Sequence, residues 1–140
     1  MKFESVYRKG KKQYEKGHKM IARVMRRINR IVFQCDIPFE AIIDDDVYFC
    51  HNAFGVVINP ASTIRGGGTT IQHSVTIGEL DQSGGAPDIG RNVQIGARAM
   101  ILGGVKIGDN VKIGAGAVVL SDVPANCTVV GIPAKIVKRG

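Results

Sequence analysis

A mainly β fold, a parallel β-helix of hexapeptide repeats behind a short N-terminal α-helix, is predicted by three features of this 140-residue sequence. Aliphatic residues recur every six positions at Ile89, Ile95, Ile101, Ile107, Ile113 and Val119, with a second row of small or β-branched residues at Val93, Ala99, Val105, Val111, Ala117 and Val123. A helix repeats near 3.6 residues and a strand near two, so a period of six fits neither. It fits a solenoid of short strands and corners, three to a triangular coil. Sixteen of the 18 glycines lie at or after Gly55, and Asp109-Asn110 and Gly114 to Gly116 supply residues that tolerate tight corners. Charge is segregated: residues 1–30 carry eleven Lys/Arg against Glu4 and Glu15, whereas the other 110 carry eight against ten acidic residues.

Taken in chain order, residues 1–35 form a basic N-terminal helical segment. Ile21, Val24, Met25, Ile28, Ile31 and Val32 make a helical stripe within the proline-free stretch 5–34, with Lys19, Arg23, Arg26, Arg27 and Arg30 on the other faces. The stripe is expected to pack on the solenoid or on a neighbouring chain, with a membrane-surface or nucleic-acid arm as the competing reading. The β-helix spans residues 36–124, its register running back from Ile89 through Ile77, Ile71, Ile64, Ile58, Phe49 and Ile43. Departures from six mark insertions, the largest being a loop at residues 78–88. Residues 125–140 form a tail expected to close the open end of the prism, where strand edges would otherwise be exposed.

Several classes are excluded or disfavoured. Cys35, Cys50 and Cys127 cannot all pair and show no CxxC spacing, so neither a disulfide framework nor a zinc site is supported, and a reducing cytoplasm is the expected location. No apolar run approaches the roughly 18 residues of a spanning helix. Nucleic-acid binding would rest on the N-terminal charge alone, without aromatic platforms. Asp44-Asp45-Asp46 reads as a solvated corner rather than a metal site, because three consecutive carboxylates on a turn cannot all converge.

The segments His51-Asn52-Ala53-Phe54-Gly55-Val56-Val57, Ser74-Val75-Thr76-Ile77-Gly78, Ser83-Gly84-Gly85, Ala99-Met100-Ile101-Leu102-Gly103, Ile113-Gly114-Ala115-Gly116-Ala117-Val118-Val119 and Gly131-Ile132-Pro133-Ala134-Lys135-Ile136-Val137 occur in this order. Together they resemble serine acetyltransferase and its relatives among the hexapeptide-repeat O-acyltransferases, over residues 36–138. The resemblance implies a left-handed parallel β-helix, a homotrimer with active sites between subunits, and acetyl-CoA as donor to a small-molecule acceptor hydroxyl, with no metal.

It further implies that His51 is the general base that activates the acceptor hydroxyl for direct attack on the thioester, with Asp36, fifteen residues earlier, pairing with it. His73 also follows an inward aliphatic by two residues. It is expected to stack on His51 about 4.8 Å along one edge, where it either serves the acceptor or is an ordinary corner residue. The serine enzymes usually carry glutamine there. Gly78, Ala97 and Ala115 match cofactor-contacting positions, and Lys135 and Lys138 are candidates for the nucleotide phosphates. A covalent role for Cys50 is disfavoured, since the family transfers acetyl directly, and His18 reads as solvated.

One departure bears on the acceptor. Serine acetyltransferases carry an Arg-His pair before the loop proline, in a Gly-Gly-Asp-Arg-His-Pro context, whereas the loop here reads Gly84-Gly85-Ala86-Pro87. Serine, within cysteine biosynthesis, and a sugar hydroxyl, within surface polysaccharide biosynthesis, are therefore both candidate acceptors. A non-catalytic hexapeptide scaffold with a basic anion-binding helix is the alternative from another class.

Overall fold

In the computed structural model, which describes every residue except Ser83 and Gly84, the chain is a left-handed parallel β-helix capped at its N-terminal end by two helices. Three faces recur. The first holds β1 (Ile42–Ile43), β4 (Thr63–Ile64), β7 (Asp88–Ile89) and β10 (Lys106–Ile107). The second holds β2 (Tyr48–Phe49), β5 (Thr70–Ile71), β8 (Gln94–Ile95), β11 (Lys112–Ile113) and β13 (Cys127–Val130). The third holds β3 (Val57–Ile58), β6 (Thr76–Gly78), β9 (Met100–Leu102) and β12 (Val118–Val119). All neighbours on a face are parallel, each pairing with the strand one coil away.

The hexapeptide register explains the core. Phe49, Ile71, Ile95, Ile113 and Val129 form an inward file on the second face, and Ile58, Ile77, Ile101 and Val119 another on the third. The second row of the repeat, Val93, Ala99, Val105, Val111, Ala117 and Val123, is buried throughout. Corners turn through left-handed residues: Asn92, Asn110 and Asn126 have φ of 52°, 59° and 62° and link amide to amide along one edge at 2.9 Å. Asparagine reaches this conformation at little cost and still satisfies its own polar group.

The ends are closed differently. β13 carries the solenoid past residue 124, and β14 (Lys135–Arg139) returns antiparallel on it. At the other end lie α1 (Phe3–Glu15) and α2 (Lys19–Val32). The segment 1–35, expected to hold one short helix, thus holds two, because Gly17 takes φ +82° and its N–H bonds the carbonyl of Tyr14, which lets the second helix fold back on the first. Phe3 stacks on Tyr7 at 5.4 Å and meets Phe49 edge-on at 5.3 Å, so α1 plugs the first coil with aromatic rings. The apolar stripe of α2 packs on this chain only in part. Ala22 and Asn29 are its buried side, Met25 and Ile28 pack partly on the core, and Ile21, Val24, Ile31 and Val32 stay at least half exposed because α1 already fills the end of the prism. No helix among the described residues is long and apolar enough to cross a membrane.

Two outcomes follow from this packing. Ile95 is 1% exposed in the middle of its file, and Ile95→Ala is expected to destabilise the fold by about 2–5 kcal/mol, read as a lower urea midpoint at unchanged m. Burial pushes the Cys35 thiol up to about 12, with the Asp36 charge adding to the effect. A raised native pKa means stability that is full below the unfolded value and is lost as pH rises toward the native one. Urea midpoints under reducing conditions should therefore fall from about pH 9 upward, and Cys35→Ala should flatten part of that slope. Alkylation of native Cys35 at pH 8 as fast as in urea would contradict the burial.

Candidate functional site

One edge of the prism, where the second face turns into the third, gathers most of the candidate residues. After β2 the chain makes a tight turn, Cys50–Ala53, in which His51, Asn52 and Ala53 all have left-handed φ, at 52°, 53° and 59°. Three consecutive non-glycine residues in this region cost on the order of 1 kcal/mol or more each, so the surroundings must hold the turn. They do so through α1, since Asn52 Oδ1 accepts the Phe3 N–H at 3.1 Å, and through Ala53, which is fully buried. The strained turn thereby presents an exposed His51 at a fixed place.

His73 sits one rung along the same edge, because Phe49 and Ile71, the inward residues before each turn, are register partners. The two imidazoles meet edge to face, with ring centroids 5.2 Å apart and planes at 86°. His73 is half-buried, and its Nδ1 is fully buried without a hydrogen-bond partner. A buried unpaired ring nitrogen costs about 1–3 kcal/mol, which a neighbouring group could recover. The edge continues through backbone contacts: Arg98 N–H donates to the His73 carbonyl, and Gly116 N–H to the Ala97 carbonyl. Here the coils lie very close. A Cβ on Gly96 would fall 2.5 Å from the Ala115 nitrogen. At its far end Val118 N–H donates to the Gly131 carbonyl, and Ala134 N–H to the Val118 carbonyl, closing the edge with the tail.

His51, His73, Ala97 and Ala115 thus share one edge. Gly78 does not: it ends β6 at the opposite side of the third face and opens the loop. The loop segment Ser83-Gly84 lies outside the described residues. Lys135 and Lys138 are exposed on β14, across from Val130 and Thr128. Among the described residues Asp36 and His51 make no hydrogen bond to each other. Asp36 lies beside Val57 on the third face, and its carboxylate accepts from Arg26 at 3.1 Å and Arg30 at 2.6 Å. Two guanidiniums one helical turn apart on α2 bind a carboxylate more strongly than a neutral imidazole does. The sequence places these arginines on the polar faces of the helix and does not by itself pair them with Asp36.

The remaining candidates carry no chemistry of their own. Burial raises the Cys50 thiol pKa, the reverse of what an activated nucleophile needs. Asp44 and Asp46, read from sequence as solvated, accept the N–H groups of Gly66 and Gly67, and no His/Cys/Asp/Glu group able to hold a metal occurs among the described residues. His18 bonds Gln13 on the surface. A groove of about 610 Å³ on the first face, lined by Arg65, Asp88, Arg91 and Lys106, contains neither edge histidine. A smaller groove of about 220 Å³ on the second face runs past Gln72 and Gln94 to Gly96 and Gly114, ending beside the candidate edge.

Residues 87–121 match the bacterial transferase hexapeptide (six repeats) family model. No curated protein matches the sequence. Among solved structures, serine acetyltransferase from Brucella abortus strain S19 in complex with coenzyme A has a TM-score of 0.87 at 35% identity, covering 97% of this chain and 55% of that one. The Neisseria gonorrhoeae serine acetyltransferase has a TM-score of 0.85 at 40% identity, covering 96% and 52%. The soybean serine acetyltransferase apoenzyme has a TM-score of 0.84 at 38% identity, covering 94% and 55%. The chain spans just over half the length of these structures. With the repeat matched, the coil in place and more than a third of its residues shared with each of these enzymes over nearly its whole length, the chain is a hexapeptide-repeat protein similar to the serine acetyltransferases.

Proposed function

We propose that the chain is an acetyl-CoA-dependent O-acetyltransferase that uses His51 as general base. The observation that carries this reading is the strained turn that fixes His51 beside His73, on the edge that Ala97 and Ala115 continue. An unassisted alcohol is a poor nucleophile near neutral pH. His51 takes the hydroxyl proton as the acceptor oxygen bonds to the thioester carbonyl carbon, the C–S bond breaks, and the proton passes on to the departing sulfur. His73, with one ring nitrogen buried and unpaired, orients the acceptor or the partner imidazole.

Donor binding is proposed along the same edge. Ala97 and Ala115 are small enough for the pantetheine arm to approach the coil backbone, and nothing lies within 4 Å of the Cβ position of Gly116. Lys135 and Lys138 would meet the phosphates as point charges at the capped end, and Gly78 would contribute from a neighbouring subunit of a homotrimer. Asp36 contributes its charge through the Arg26 and Arg30 pair that holds it, or to His51 directly once that pair is displaced.

The acceptor divides into two readings. The Neisseria enzyme has been solved in complex with serine. A sugar hydroxyl is favoured here by one observation, that the sequence from Gly78 to Asp88 contains no Lys, Arg or His to meet an amino-acid carboxylate.

Two measurements test this proposal. His51→Ala should lower kcat by roughly 10²-fold or more, and His73→Ala by about tenfold, with the trimer still observed by light scattering. Near-normal turnover in a folded His51→Ala trimer would remove the base assignment, and a monomeric wild type would remove the shared site. Thiol release from acetyl-CoA across serine, sugars and nucleotide sugars should give serine a kcat/KM below about 10⁴ M⁻¹s⁻¹ and a sugar a higher one. Serine above that value and unsurpassed would place a carboxylate-binding cation elsewhere in the assembly.

A further inference from the structure

The exposed side of α2 has two sectors. Met20, Ile21, Val24, Ile31 and Val32 are 78%, 51%, 51%, 73% and 50% exposed, an apolar surface left at least half open to solvent. At 100° per residue these five fall within one arc of roughly 120°, which also holds the partly packed Ile28, and the buried Ala22 and Asn29 lie beyond its Val32 edge, toward the core. Lys19, Arg23 and Arg27 fill the arc next to the apolar one, and all three are exposed. Arg26 and Arg30 are engaged with Asp36. The helix therefore offers the solvent an apolar strip bordered along its length by cations.

A second copy of α2 is a poor occupant for this surface. Residues 1–30 carry eleven basic against two acidic side chains, so two such faces brought together would oppose like charges across a low-dielectric contact. The complementary surface has apolar depth and negative charge side by side, and an acidic phospholipid leaflet supplies both. We propose that α2 is an interfacial anchor that lays Met20, Ile21, Val24, Ile31 and Val32 into the acyl boundary of an anionic membrane, with Lys19, Arg23 and Arg27 at the headgroups. The anchor lies on the surface and does not span, since a 14-residue helix is about 21 Å long, shorter than the hydrocarbon core. This inference is independent of the catalytic reading.

The full chain is tested by sedimentation with phosphatidylcholine vesicles, with and without about a quarter phosphatidylglycerol. Partition should be at least about tenfold stronger on the anionic vesicles and should fall at high salt, where surface charges are screened. Val24→Ser/Ile31→Ser should abolish it with circular dichroism and oligomer mass unchanged, as expected for exposed residues. Arg23→Gln/Arg27→Gln should reduce it by about tenfold. Several results would overturn the proposal: no sedimentation of the wild type, equal partition on neutral and anionic vesicles, or undiminished binding of the serine variant, which would leave only a diffuse charge effect. A smaller oligomer in the serine variant would also overturn it, assigning the face to contacts between copies.

Discussion

Everything in this protein is referred to the parallel backbone pairing of each coil with the next. Once Phe49 pairs with Ile71, Ile71 with Ile95 and Ile95 with Ile113, a residue's place in its hexapeptide decides whether it fills the core, faces solvent or stands on an edge. The aliphatic file stabilises that pairing by removing a branched side chain from water at every rung. The site inherits its precision from it. His51 and His73 meet at 5.2 Å because the residues two positions before each are partners, with no long-range side-chain network required to align them.

The repeat was legible because a period of six is imposed by geometry at every coil and so is written many times over. Both rows of core residues, the loop position and the alignment of the histidines followed from counting. What was not legible depended on single events. The break at Gly17 rests on one backbone angle inside an otherwise continuous helical pattern. The capture of Asp36 by Arg26 and Arg30 depends on how α2 folds back, which no periodicity encodes. The bare apolar sector of α2 has the same origin: the stripe calls for an apolar partner, and within this chain the aromatic plug of α1 occupies the end of the solenoid.

Strain and charge converge where the helices meet the first coil. The left-handed turn at His51 is tied to the first residue of α1 through Asn52, and Asp36 is tied to α2 through two arginines. The N-terminal segment is therefore more than a lid on the core. It sets the backbone of one candidate group and neutralises the other, so a change in how α2 is held bears on both the turn and the carboxylate.

The asparagine edge has an implication for how such a molecule changes over time. Asn92 and Asn110 are 18 residues apart and Asn110 and Asn126 are 16, while one coil earlier the Val93 N–H reaches the Thr69 hydroxyl across 24. Coils of unequal length thus keep one corner in line, and the surplus residues of the longest are extruded where the loop after Gly78 departs. The largest length variation thus leaves the prism at a different corner from the amide ladder. Segments can be lengthened, trimmed or exchanged there, while the ladder keeps the three coils it joins in line.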